Sequence, residues 1–367
     1  MSTCSRCLIN SNYPGISFNT AGECSLCNRY GGFKPIGEDK LRALFQQVRQ
    51  NRESEYDALV PLSGGKDSTY ILHLAVNVYQ LKVLTMTYDN GLFSQIARDN
   101  IDRAIRKTGV PHIMRRPDPE LLKKIYRATL TASGDICGAC DIGTKSNIFK
   151  VACDNRAPMI LYGTSPLEED SFVPDSIQDV ARMKYILKHS SDLTKREIDD
   201  FLIFPHLNHF RIFYNKRTGK FPKEVSPLFY LENPTDKEMG EIITREMDWV
   251  EDTSREYSKH FDCFAEPLTN YIRNKIYGYE RHICQYSNMI RRGEITRGKA
   301  MELYAADNIA EKPDGYRRTL DYLGLTDQDL DEIIRIKPLK FEGHTSRMNR
   351  IFTKLLTAGK TLRLTGS

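Results

Sequence analysis

A strand-to-helix junction constrains this chain more than any other stretch of it. The apolar run Tyr56 to Leu62 ends in Ser63-Gly64-Gly65-Lys66-Asp67-Ser68 and passes at once into an amphipathic segment, Thr69 to Val78. Paired glycines let backbone N–H groups approach an anion closely, and the helix N-terminus adds the positive end of its dipole. Ser63 and Ser68 add hydroxyl donors and Lys66 a point charge, so Ser63, Gly64, Gly65, Lys66, Asp67, Ser68 and Thr69 are expected to cradle phosphate. A purely structural turn would need the glycines alone. The spacing excludes the Walker loop, which sets four residues between its first Gly and its Gly-Lys pair.

Further short apolar runs follow at Val83 to Thr87, His112 to Met114 and Met159 to Tyr162. Helices are predicted between them at Gln95 to Thr108, Pro119 to Thr131 and Lys145 to Asn155. This alternation predicts an α/β fold, a doubly wound parallel sheet whose ligands bind beyond the carboxyl ends of the strands. After about residue 165 the strand signal fades, and Phe201 to Pro227 is expected to form loops near the site. Beyond Asn233 the pattern turns helical, with Thr235 to Met247 at helical spacing and Thr296 as N-cap of a helix through Tyr304. We expect a zinc-ribbon-like unit over 1–35, the α/β body over 50–230 and a mostly helical C-terminal region over 231–367.

Length supports that division, since 367 residues exceed the usual size of one domain. A hydrophobic fraction of 40% with 28% charged residues excludes a disordered chain. The formal charge of +5 suits a nucleotide but falls short of a nucleic-acid footprint. No apolar run is long enough to cross a bilayer, and cysteines stand where a basic-then-apolar leader would, so no membrane partner and a cytoplasmic location are expected.

Nine cysteines in an intracellular chain point to metal or redox chemistry rather than disulfides. Cys4-x-x-Cys7 and Cys24-x-x-Cys27 supply the four thiolates of a tetrahedral, structural Zn2+. A third pair, Cys137 and Cys140, leaves three readings open: ligands of an iron–sulfur cluster, a redox or persulfide-carrying pair, or a loop with buried cysteines. A cluster needs a further ligand from Cys153, Cys263 or Cys284. Cys153 is expected to fill core on an amphipathic helix, which leaves Cys263 and Cys284, with Cys263 in the more polar setting. Nearby His260 reads either as a catalytic or as a structural histidine.

With strand, loop and helix together, Ser63 to Ser68 resembles the PP-loop of the ATP pyrophosphatase superfamily, Ser-Gly-Gly-x-Asp-Ser. The resemblance implies a PP-loop/HUP-like sheet that binds ATP with Mg2+ and cleaves it to AMP and pyrophosphate through an adenylated substrate. It implies catalytic roles for Lys66, Asp67 and Ser68. It also implies that Thr87 and Asp89 lie near the adenosine, while Gly163 and Thr164 help close the nucleotide site.

Within that superfamily, nearly the whole chain resembles the N-acetyl sugar amidotransferase family. The proximal motifs are Cys4-x-x-Cys7, Pro14 to Phe18, Gly22-x-Cys24-Ser25-x-Cys27, Tyr56-Asp57, Ser63 to Tyr70 and Gly134-Asp135-x-Cys137-x-x-Cys140. The distal ones are Lys259-His260-Phe261-Asp262, Gly278-Tyr279-Glu280-Arg281 and Ser287-x-Met289-Ile290-x-x-Gly293-x-Ile295-Thr296-Arg297. This implies a transferase that adenylates an oxygen of a nucleotide-linked N-acetyl (amido or uronic) sugar precursor. Nitrogen from a partner glutaminase would replace that oxygen, in bacterial lipopolysaccharide or other surface polysaccharide biosynthesis. A homodimer is compatible with it. The chain departs from the family where His282-Ile283-Cys284-Gln285 precede Ser287 and where Gly163-Thr164-Ser165 replaces Gly-Glu-Asn.

A second branch, the tRNA 2-thiolation enzymes, is similar in pairing a zinc unit and PP-loop with a cluster-binding C-x-x-C placed like Cys137 and Cys140. It would make the chain a sulfurtransferase dependent on a 4Fe–4S cluster, the one case with a nucleic-acid partner. A non-catalytic nucleotide-binding protein would need a lost phosphate-site residue, and Ser63, Lys66, Asp67 and Ser68 are all present.

Overall fold

The structure is a computed structural model that describes residues 2–50, 54–166, 180–202, 221–232, 235–252, 262–307 and 309–336. Five parallel strands, β1 (Ala58–Pro61), β2 (Val83–Tyr88), β3 (His112–Arg115), β4 (Met159–Leu161) and β5 (Lys223–Val225), form a sheet of order β3-β2-β1-β4-β5. Successive side chains of a strand point to opposite faces. Leu59, Leu84, Met86 and Ile160 accordingly enter one core, and Ala58, Val60, Val83, Met159 and Leu161 the other. Both faces are covered, as the doubly wound reading requires. The two buried threonine hydroxyls of β2 are satisfied, Thr85 donating to Pro111 O at 2.9 Å and Thr87 to Leu62 O at 2.6 Å.

Helices α1 (Ser25–Arg29) and α2 (Glu38–Gln50) precede the sheet. α3 (Lys66–His73), which runs on into a π turn at Leu74–Val78, links β1 to β2, and α4 (Gln95–Thr108) links β2 to β3. α5 (Pro119–Ser133) and α6 (Cys137–Asp154) then carry the chain from the β3 edge back to β4 beside β1. The strand order therefore reverses between β1 and β4, and the loops leaving these two strands flank the crevice where such sheets bind ligands. α7 (Val180–Lys188), α8 (Lys195–Phe201), β5 and α9 (Asp236–Met247) complete the body. The distal helices are α10 (Glu266–Tyr277), α11 (Arg281–Arg292), α12 (Arg297–Ala306), α13 (Tyr316–Leu323) and α14 (Asp327–Ile333).

The sequence-based boundaries differ most from these at three places. α3 starts at Lys66 instead of Thr69, so three loop residues belong to its first turn. α6 starts at Cys137 instead of Lys145, so both cysteines stand on a helix; Gly138 and Gly143 had hidden its pattern, yet both are buried in packing. β5 lies inside the stretch expected to be loops: its Lys-Glu-Val pairs with β4 at the sheet edge with only Val225 buried, too little apolar pattern to announce a strand. Residues 203–220 of that stretch are outside the described residues.

The distal helices do not pack as one unit. Leu268, Tyr271, Ile272, Leu320, Leu323, Leu330 and Ile333 join the sheet-face core beside α5 and α6. Tyr279, Ile283, Cys284, Met289, Ala300 and Leu303 of the α10–α11 corner, α11 and α12 instead share a core with Cys4, Cys7, Ile9, Cys24 and Cys27. Hydrogen bonds fasten this seam: Leu8 N to Ser287 Oγ at 3.1 Å, Asn10 Nδ2 to Gly278 O at 2.9 Å, and the Arg297 guanidinium to the carbonyls of Cys7 and Cys4.

Candidate nucleotide site and cysteine clusters

The phosphate loop is shaped by its glycines. Gly64 has φ +78°, and a Cβ there would stand 2.2 Å from Ala97 O on the first turn of α4. Gly65 is the N-cap of α3 and brings no capping side chain, so the orphan N–H groups of the first turn and the dipole end remain available to an anion. Within the loop Ser63 N donates to Ser68 Oγ at 3.2 Å, Gly65 N to Ser63 Oγ at 3.3 Å, and the hydroxyls of Ser68 and Thr69 donate to Gly65 O at 3.1 and 2.9 Å. From the loop after β4 Gly163 presses onto this turn: a Cβ on it would lie 3.0 Å from both Asp67 C and Ser68 N. Thr164 beside it is exposed.

Lys66 lies between Asp67 Oδ1 at 2.6 Å and Asp236 Oδ1 at 3.0 Å. Burial opposes its charge, but the two carboxylates outweigh that and raise its pKa above the ordinary lysine value. Thr87 reaches the loop through its bond to Leu62 O. Asp89 is engaged by Arg98 in a bidentate pair at 3.0 and 3.2 Å and approached by Arg116 at 3.7 Å; burial works against the carboxylate, and Arg98, the Gly91 N–H and Arg116 hold its pKa below the usual value.

Sequence reasoning missed three braces of this loop. Trp249 donates its indole N–H to Gly64 O at 3.0 Å, and Asn100 reaches the same carbonyl while clamping both the N–H and C=O of Val250. Asp262 comes within 3.7 Å of where a Gly65 Cβ would be. The Thr235-x-x-Glu238 capping pattern announces the start of α9, but nothing local says that Asp236 faces Lys66. Lys259, His260 and Phe261 are outside the described residues.

The four N-terminal cysteines converge, all four sulfurs lying within 4.8 Å of one another. Backbone N–H groups of Arg6, Cys7 and Cys24 donate to Cys4 Sγ, and that of Cys27 to Cys24 Sγ. Hydrogen bonds from Cys27 and Cys7 pull the Cys24 thiol far down toward thiolate. Buried, closed and all-sulfur, the set fits a single tetrahedral ion such as zinc.

The internal pair sits on the first turn of α6, where Asp135 accepts from Gly138 N at 2.9 Å and is itself bound by Arg273 Nε of α10 at 2.9 Å. Asn90, from the loop after β2, donates to Cys140 Sγ at 3.2 Å. Burial pushes Cys140 up to about 12 and raises Cys137. Cys263 pairs across a short bridge with Phe93 and is raised well up, by burial first and then by the facing thiols of Cys137 and Cys140. Of the two candidate third thiols, Cys263 is thus the one at the pair, while Cys284 is buried in the core of the N-terminal unit. Three soft thiol donors are the ligand type that holds an iron–sulfur cluster. Cys153, expected in the core, is exposed near the end of α6.

Residues 251–356 match the family model described as LPS biosynthesis protein WbpG-like, C-terminal domain. The distal region is thus similar to that family's C-terminal domain. All three distal motifs that carried the sequence resemblance fall within this WbpG-like segment, and the resemblance is borne out there. No curated protein matches the chain significantly. Among solved structures, the U34-tRNA thiolase NcsA from Methanococcus maripaludis with its [4Fe-4S] cluster is 14% identical, covering 85% of this chain and 97% of its own, at TM-score 0.34. The NH3-dependent NAD synthetase from Campylobacter jejuni is 11% identical, covering 57% and 91%, at 0.30. NMN synthetase from Francisella tularensis is 15% identical, covering 59% and 86%, also at 0.30. Likeness at that level carries no inference about chemistry.

Among the described residues no helix is long and apolar enough to cross a membrane.

Proposed function

We propose that the chain is an ATP-dependent amidotransferase of the PP-loop type that acts on an N-acetyl sugar precursor in surface polysaccharide biosynthesis. The observation that carries this reading is the meeting of phosphate loop and WbpG-like segment: Asp262 stands beside Gly65, and Cys263 pairs with Phe93 next to α4. The substrate oxygen attacks the α-phosphorus and pyrophosphate leaves; ammonia nitrogen then attacks the activated carbon and AMP leaves. Ser63 to Thr69, with the open N-terminus of α3, would hold the β- and γ-phosphates and offset the charge that builds on pyrophosphate. Lys66 adds its fixed positive charge, and Asp67 is the loop carboxylate suited to Mg2+, which when bound neutralises phosphate charge. Cys4, Cys7, Cys24 and Cys27 would hold zinc as a structural cross-link. Ammonia would come from a separate glutaminase.

The test is to supply the purified chain with Mg·ATP, an N-acetylated nucleotide sugar and ammonium. AMP, pyrophosphate and an aminated sugar in equal amounts are expected, and Asp67→Ala or Lys66→Ala should remove all three products.

A second reading, sulfur transfer, is favoured by the proximity of Cys263 to Cys137 and Cys140, near enough for their charges to act on it; these three would hold a 4Fe–4S cluster. Such a cluster would supply a Lewis-acidic iron. Under this reading sulfide replaces ammonium in the assay, and ammonium is inert.

A further inference from the structure

Lys66 is surrounded by more negative charge than its own loop supplies. Asp67 is its chain neighbour, but Asp236 is 170 residues away and is presented by a different element. That presentation is rigid. Asp236 is the first residue of α9, whose start is fixed by the reciprocal bonds of Thr235 and Glu238. Met239, Ile243 and Met247 seat α9 in the core that also holds Tyr70 and Ile71 of α3. A carboxylate on the first turn is favoured by the helix dipole.

Two carboxylates therefore meet one ammonium beside a loop built for phosphate. One of them is enough to compensate Lys66. Asp67 is the more exposed, its side chain 34% accessible against 21% for Asp236 and 13% for Lys66. Asp67 also lies against Gly163, in the crevice between β1 and β4, whereas Asp236 approaches from α9.

We infer that Asp236 is the standing counter-ion of Lys66, a positioning residue that leaves Asp67 able to turn to the divalent cation arriving with a nucleotide. The inference rests on the reading of Ser63 to Ser68 as a site for a magnesium nucleotide. Without Asp236, Asp67 becomes the carboxylate that must stay with the buried ammonium, and the cation has to compete with Lys66 for it.

Calorimetric titration of ATP at a series of Mg2+ concentrations reads this without turnover. For Asp236→Asn the Mg2+ concentration giving half-maximal ATP binding should rise about tenfold, with binding at saturating Mg2+ changed less than about threefold, the scale of one charge-assisted contact. Asp236→Glu should bring the midpoint back toward the wild-type value. Thr235→Ala, which loosens the same helix start, should lower thermal stability and leave the Mg2+ midpoint where it is. Asp67→Asn should make ATP binding insensitive to Mg2+, and it supplies the decision if Asp236→Asn does not fold. An unchanged midpoint in Asp236→Asn, an equal shift in Thr235→Ala, or full Mg2+ sensitivity in Asp67→Asn overturns the inference while the nucleotide reading stands. A wild-type chain that binds no ATP at any Mg2+ concentration defeats that reading itself, and the inference with it.

Discussion

The phosphate loop is set by individual atoms. Gly64→Ala would drive a methyl group into Ala97 O and force an alanine into left-handed backbone, a cost of about 1–3 kcal/mol that also displaces the N–H groups that the proposed function assigns to phosphate. We expect ATP binding to be lost in calorimetry while circular dichroism stays near wild type. Trp249→Phe keeps the packing and removes one indole donor, so stability should fall by about 1 kcal/mol in urea melts and the KM for ATP should rise more than kcat falls. The difference in visibility between these two residues is physical. Gly64 advertises itself because the turn demands glycine within a contiguous motif. Trp249 and Asp236 act across 185 and 170 residues, and such contacts leave no periodic trace in the sequence.

The elements were legible wherever a hydrophobic period ran long enough. β1, β2 and β4 alternate between two cores, and Thr296 caps the helix it was expected to cap, while Thr235, expected as the first residue of its helix, is the N-cap instead. The missed strand, β5, has a single buried residue, and the early turns of α6 are broken by glycines. Between α10, α11 and the end of α12 lies a contact no period could announce: His282 is buried with Glu266 on one ring nitrogen and Asp307 on the other, Glu280 close by and Tyr286 donating to Asp307. Burial disfavours its charge, yet Asp307 and Glu266 raise its pKa from 6.5 to about 10. Because the folded value exceeds the unfolded one, the stabilisation is complete below about pH 6.5 and is lost as pH rises toward 10. Melts of the wild type should therefore weaken across that window. His282→Gln should be destabilised by about 2–4 kcal/mol at pH 6 and should lose this pH dependence.

At the scale of the whole molecule, the cysteine unit is welded to α11 and α12 through a shared core and three sets of hydrogen bonds. If it holds metal, chelation removes a cross-link of several kcal/mol from that core. Hydrogen exchange should then rise in residues 2–30 and in Arg281–Arg292 and Arg297–Ala306, while β1, β2 and β4 stay protected. Equal exchange everywhere, or none, would show that the unit stands without metal. The sequence announced the four-cysteine set through its spacing but not its docking site, which depends on how residues 2–30 meet helices more than 250 residues further along the chain.

The grip on the phosphate loop has a consequence for how such proteins can be recombined. Trp249 and Val250 hold Gly64 and Asn100 immediately before the WbpG-like segment begins, and Asp262 to Phe264 return to Gly65, Ser94 and Leu92 soon after. A chimera spliced at residue 250 would take one half of this grip from each parent. The sheet body and the distal segment are therefore not free modules: they must be inherited, or exchanged, as a matched pair.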